Sequence, residues 1–317
     1  MRLGFAGLGL MGLPMAINLR RAGVDLTVFN RSAEPCGRLQ GLGASVASSA
    51  DALFGDCDAV ILMLPDDRAT DSVLGRGGPS FGARVRGRLV INMGTHAPAY
   101  SEALDEDVRS AGGVFVEAPV SGSRAPAETG DLLAMVAGAP EGVTRARTIV
   151  QPMCRKIIVL GAPPSAMKMK MAVNHYLITT VAALGEAMNM ARRSGLDLEL
   201  YRQVLELSPL RSDVAAQKSR KMVTGDLSPQ ASIRDVVKNG GLVAATAAAA
   251  GAAAPLLDWS VHLFRSVLER DCGELDMAAV LRAFDHPEDA MLETLGREPA
   301  ELADEKSARV REEDEAS

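Results

Sequence analysis

Three glycines constrain this chain most: Gly7, Gly9 and Gly12 form G-x-G-x-x-G. The motif directly follows an apolar run, "RLGFA" at 2–6, and opens an apolar-periodic run that continues through "LRRAG" to Gly23. A glycine pattern alone is a weak signal, but a strand before it and a helix after it are the context its physics demands. The first glycine allows a tight turn, the second lets the backbone approach a pyrophosphate, and the third lets the helix pack on the strand. Free N–H groups at the helix start then face the phosphate charge. The segment Gly7, Leu8, Gly9, Leu10, Met11, Gly12 is therefore expected to hold a dinucleotide.

The end of the next strand, "LTVFN", discriminates between cofactors. An acidic residue there suits the ribose 2′-hydroxyl of NAD. This chain reads Asn30, Arg31, Ser32. A guanidinium can pair with a 2′-phosphate that a carboxylate would repel, so NADP is expected over NAD.

Further strand patterns lie near 58–64, 88–93, 113–120, 132–138 and 156–161, with helical segments between most of them. Alternation of this kind implies parallel pairing in a doubly wound, Rossmann-type sheet. After "GAPPS" the character changes. Long helical patterns occupy 167–194, 197–207, 231–250 and 255–269, with a last one at 276–284. The expected fold is α/β: a nucleotide-binding domain at 1–163, an all-α domain at 164–293, and a long helix joining them. The charged stretch 294–317 has few apolar anchors and is expected to be disordered.

The chain has 317 residues, long enough for two domains. A net charge of −6 and 3% aromatics argue against a nucleic-acid binder, which needs basic excess or stacking platforms. The four cysteines are scattered, as suits buried thiols in a reducing cytoplasm. The run "AATAAAAGAAAPLL" is broken by Gly251 and Pro255, so no membrane span is expected. His96, His262 and His286 form no metal-ligand set.

"MKMKMAVNHYL" at 167–177 places two lysines in an apolar run. At about 100° per residue, Lys170 and Asn174 share a helix face, whereas Lys168 lies roughly 200° away from Lys170. Lys168 is expected to reach solvent. Lys170, held beside Asn174, could protonate an oxygen; a domain-junction salt bridge is the equally open alternative. His175 points about 100° away from Asn174 and reads as a packing residue.

Three segments carry a resemblance: "GFAGLGLMGLPMAINLRRAG", "EAPVSGSRAPAETGDL" and "KMAVNHYLITTVAALGEAMNMARRSGLD". Together they resemble the β-hydroxyacid dehydrogenase family over roughly residues 1–292, nearest its glyoxylate/succinic semialdehyde reductase branch. The resemblance implies reversible hydride transfer between NAD(P) and a short acid bearing a hydroxyl or aldehyde. It places the family's catalytic lysine on Lys170 and its conserved Asn on Asn174. It implies that Ser121, Gly122 and Ser123 receive the substrate carboxylate, and that Leu64, Pro65 and Thr95 line the cofactor. Lys238 aligns with a second lysine near the nicotinamide and substrate. A homodimer built through the all-α half, where the Ala-rich segment 243–254 permits close helix approach, also fits the family.

Three positions depart from the family pattern: Asn239 in place of Asp, Ala231 in place of an aromatic residue, and Gly94 in place of Ser. They imply an altered substrate. An imine reductase of related fold and a non-catalytic NADP-binding scaffold remain the alternatives. Lys170 and the S-G-S segment speak against the first, and the intact Lys170–Asn174 pair speaks against the second.

Overall fold

The computed structural model describes residues 1–285; the 294–317 tail and His286 lie outside them. The chain divides into two compact units. One is Met1–Asn174 with Ala245–Gly251, and the other is His175–Ala244 with Ala252 onward.

The first unit is built from β1 (Leu3–Ala6), α1 (Gly12–Arg21), β2 (Leu26–Phe29), α2 (Ala33–Gln40), β3 (Ser45–Val46), α3 (Ala50–Asp56) and β4 (Ala59–Leu62). It continues through α4 (Asp67–Leu74), α5 (Phe81–Val85), β5 (Leu89–Asn92), α6 (Pro98–Ser110), β6 (Val114–Glu117), β7 (Val120–Ser121), α7 (Arg124–Thr129), β8 (Leu132–Gly138), α8 (Pro140–Val150) and β9 (Cys154–Val159). The sheet order is β3-β2-β1-β4-β5-β6-β8-β7, with β9 on β8. Strands β1 through β6 all run parallel. β1, β4 and β5 are buried at every position, as a sheet covered on both faces requires. Met15 and Leu19 of α1 close one face, with Ala146 and Ile149 of α8. Leu53 of α3, Leu74 of α4 and Leu104 of α6 close the other.

The continuous run of parallel strands ends at β6, and parallel pairing returns only between β8 and β9. β8 runs antiparallel to both β6 and β7. Crossover connections between parallel strands need a dozen or more residues, usually with a helix. The six-residue α7 is about 9 Å long. That is too short to return the chain to the far end of the sheet, so β8 sets off from the near end.

Strand register aligns the ends of the parallel strands. Phe29, Ala6, Leu62, Asn92 and Glu117 stand side by side across five strands. The loops after β2, β1, β4 and β5 therefore leave one edge together, and the strand order reverses between β1 and β4. In open α/β sheets the crevice outside that reversal is where ligands bind.

Helix α9 (Ser165–Arg193) is a single 29-residue element, and Gly195 stops it at φ +74°. The helices that follow are α10 (Leu198–Leu207), α11 (Asp213–Thr224), α12 (Ile233–Ala249) and α13 (Pro255–Val267), all in the second unit except α12 from Ala245 on. The helix expected at 276–284 is a tighter 3-10 run, Met277–Phe284. Asp276 caps it, accepting the Ala278 N–H at 3.0 Å. α11 has no counterpart in the sequence expectations. Its signals are conventional: Ser212 accepts from Ala215 N–H, and Gly225 follows at φ +72°. Its buried face hid it, because Lys218, Ser219 and Lys221 lie there with Met222.

Cys36, Cys57 and Cys154 are buried free thiols, and Cys272 is half-buried. Among the described residues no helix is long and apolar enough to cross a membrane.

Candidate active site

The glycine turn is shaped by close approaches. Gly7 has φ +97°, and a Cβ there would stand 2.2 Å from the Met63 carbonyl oxygen. A Cβ on Gly12 would stand 1.9 Å from the Gly7 oxygen. Neither position admits a side chain. Gly9 meets nothing within 4 Å and is exposed, which leaves its backbone open to a ligand. α1 starts without a side-chain cap at Met11 and has no acidic residue in its first turn, so its leading N–H groups suit an anion. These features fit a dinucleotide pyrophosphate. Leu8 packs into the core, and its N–H donates to Asn30 Oδ1 at 2.9 Å. Leu10 and Met11 are half-buried on the turn.

Asn30 thus ties the end of β2 to the glycine turn. Its Nδ2 also donates to the Ser32 carbonyl oxygen at 3.1 Å. Arg31 and Ser32 are exposed, and Arg31 makes no ion pair among the described residues.

Leu64 and Pro65 follow β4, and Thr95 follows β5. A residue that the sequence raised only as a metal ligand stands between these loops. His96 is wholly buried. Its Nδ1 lies 2.5 Å from Asp67 Oδ1, and its Nε2 lies 3.5 Å from Thr70 Oγ1. Its ring stacks on Tyr100 with centroids 5.0 Å apart. His96 therefore fastens the loop after β5 to the first turn of α4. This revises the reading of Gly94. A Cβ there would stand 2.7 Å from the Leu64 carbonyl oxygen and 2.8 Å from His96 Nε2. The missing side chain makes room for a protein group rather than for a substrate. Gly94→Ser is expected to cost about 1–3 kcal/mol through overpacking. A melting curve beside wild type checks this, and an unchanged Tm would contradict it.

Ser121 ends β7, and Gly122 follows at φ +129°. A Cβ on Gly122 would stand 2.8 Å from Leu132 Cδ2. Ser123 precedes α7 without capping it through its side chain. Ser121 and Ser123 are half-buried and Gly122 is exposed, which leaves this corner within reach of a small anion.

α9 begins beside the same edge. Ser165 Oγ donates to the Leu160 and Ala162 carbonyl oxygens, and Ala166 packs on Met135 and Ala137 of β8. The Ala166 N–H donates to Glu117 Oε2 at 3.1 Å, joining the helix to the end of β6. The helix turns its two lysines apart: Lys168 is exposed, whereas Lys170 is only 9% exposed. Asn174, one turn on, is 3% exposed, and its Nδ2 has no hydrogen-bond partner among the described residues. A buried donor left in this state costs about 1–3 kcal/mol, and a ligand oxygen arriving beside it would satisfy it. His175 is half-buried.

Lys238 belongs to the second unit, on α12, and is half-buried. In the same unit Ala231 is held by its backbone. Its N–H donates to Asp276 Oδ2 at 3.3 Å, and its carbonyl accepts from Met277 N–H at 2.8 Å. Asn239 Oδ1 is buried without a partner among the described residues.

Comparison with known proteins covers both halves of the chain. Residues 2–161 match the NAD-binding domain of 6-phosphogluconate dehydrogenase. Residues 165–284 match the NAD-binding domain of NADP-dependent 3-hydroxyisobutyrate dehydrogenase. Glyoxylate/succinic semialdehyde reductase 1 of Arabidopsis thaliana is 30% identical, over 89% of this chain and 98% of its own length. The chloroplastic glyoxylate/succinic semialdehyde reductase 2 of the same plant is 29% identical, over 89% of this chain and 78% of its own. The crystal structure of a Salmonella typhimurium 3-hydroxyisobutyrate dehydrogenase superimposes with a TM-score of 0.83 at 26% identity, over 90% of this chain and 100% of that one.

Proposed function

Since this chain belongs to the β-hydroxyacid dehydrogenase family, we propose that it is an NADPH-dependent reductase of a small carboxylate-bearing aldehyde. It interconverts that aldehyde with the matching hydroxyacid, and Lys170 is the general acid and base. The observation that carries this reading is the α9 face on which buried Lys170 stands one turn from Asn174, whose amide donor has no partner among the described residues.

When bound, the nicotinamide supplies the hydride. The chain's own residues do the rest. The turn Gly7–Gly12 receives the pyrophosphate on the N–H groups from Gly9 onward, since those of Gly7 and Leu8 already donate to Phe29 and Asn30. Arg31 takes the 2′-phosphate, with Asn30 and Ser32 beside it, while Leu64, Pro65 and Thr95 line the cofactor. Ser121, Gly122 and Ser123 take the substrate carboxylate, which sets the carbonyl against α9. As charge develops on the carbonyl oxygen, Lys170 donates a hydrogen bond and then the proton. Asn174 holds the oxygen and the ammonium in place. In the oxidative direction Lys170 removes the hydroxyl proton. Lys238 enters this proposal from its family match alone. The protein acts as a homodimer in a reducing cytoplasm, and the exposed apolar row Leu200, Val204 and Leu207 on α10 suits a partner copy.

The test is a panel of semialdehydes and cyclic imines with NADPH or NADH, followed by nicotinamide absorbance. Semialdehyde turnover with NADPH preferred is expected. Arg31→Ala should lose roughly tenfold or more of that preference, the loss of a charge-assisted contact. Imine turnover alone would favour an imine reductase, and tight NADPH binding without turnover would favour a scaffold.

A further inference from the structure

Glu117 ends β6 and is wholly buried, and the proposed chemistry gives it no task. Its Oε2 accepts the Ala166 N–H, and the Met167 N–H also points at the carboxyl. These are first-turn donors of α9, which no group within the helix can satisfy. Capping acceptors ordinarily come from the residue just before a helix; here the acceptor comes from the sheet, 49 residues earlier in the chain. Ala166, Lys170 and Asn174 are spaced four apart and are all buried, so the carboxyl grips the base of the row that bears the proposed acid.

We propose that Glu117 is a positioning residue for Lys170: its carboxylate holds the first turn of α9 and fixes the rotation of the face carrying Lys170 and Asn174. This deepens the reductase reading and rests on it for the role of Lys170.

The surroundings make the grip depend on pH. From β5, Asn92 stands in register beside Glu117, with its Nδ2 unpartnered among the described residues. From α6 come the Ser101 hydroxyl and the repelling charge of Asp105. From α9 come the two amides, and Glu117 Oε1 itself has no hydrogen-bond partner among the described residues. Burial lifts the carboxyl to about 7, while Ser101 and the Ala166 and Met167 N–H groups pull it down. The folded chain then keeps a proton that the unfolded chain releases at lower pH. The stabilisation linked to that proton is complete below the unfolded value and is lost as the pH rises through about 7. Over the same interval the bond to Ala166 strengthens, because a charged acceptor holds an N–H more tightly.

Hydrogen exchange at Ala166 and Met167, expressed as protection over the intrinsic rate, reads this without any substrate. In wild type, protection should rise roughly tenfold from pH 6 to pH 8. In Glu117→Gln it should stay flat, and the variant should melt above wild type at pH 8 but not at pH 5. With substrate, Glu117→Gln should lower kcat, leave the KM for NADPH unchanged and lose a limb of the pH profile near 7. Flat protection in wild type overturns the proposal, even if the variant fails to fold. Rising protection without turnover of any substrate would keep Glu117 as the holder of α9 and would reject the reductase reading instead.

Discussion

Lys170→Ala is expected to lower kcat by about 100- to 10,000-fold, the usual contribution of a placed proton donor. NADPH binding should change little, because the cofactor is proposed to rest on Gly7–Gly12 and Arg31. Lys168→Ala should keep wild-type turnover, since α9 directs that side chain to solvent. The two lysines are two residues apart and share one helix, so the pair of variants separates chemistry from helix stability. Lys170→Met, which keeps most of the side-chain volume, guards against loss by cavity formation. Steady-state kinetics and NADPH titration check the outcome. Loss of activity in Lys168→Ala with retention in Lys170→Ala would mean that the family lysine had been placed two residues too late.

Asp276→Ala should be the most destabilising single change, by about 3–5 kcal/mol, or roughly 6–20 °C in Tm. Asp276 is wholly buried and meets Lys218 Nζ at 2.9 and 3.0 Å. It also accepts the N–H groups of Gln230, Ala231 and Ala278. Removing it strands a buried ammonium and three backbone donors together. Burial already holds the Lys218 amine below the usual lysine range, against the pull of Asp276. Without Asp276 that amine can give up its proton, which limits the loss. Lys218→Met should cost less, because Asp276 keeps its backbone donors. The double variant should lose less than the two single losses added, as residues in one network do. Calorimetry on the four proteins checks this, and strict additivity would show that the pair does not act as a unit.

The nucleotide-binding half was legible because its signals are local. Strand, glycine turn and helix follow one another within twenty residues, and the apolar strands have no other way to be buried. The opposite fates of Lys168 and Lys170 were also legible, since helical rotation decides them. What escaped depends on contacts between distant residues. Nothing local in "GVFVEAPV" says that Glu117 will cap a helix beginning at Ser165. "NMGTHAP" likewise does not say that His96 will turn inward to meet Asp67. The reversal of β8 stems from the shortness of α7, a geometric limit that hydrophobic patterning does not encode. α11 was missed because it buries lysines, which a pattern search reads as a solvent face.

His96 and Gly94 also bear on how such a site can change over generations. A serine arriving at 94 while the imidazole remains must displace the ring and the Leu64 loop. A smaller residue at 96 would remove only the ring, and the Leu64 carbonyl oxygen would still stand 2.7 Å from a Cβ at 94. Two separate neighbours, a main-chain oxygen and an imidazole, thus hold position 94 at glycine, and a side chain there needs both to give way.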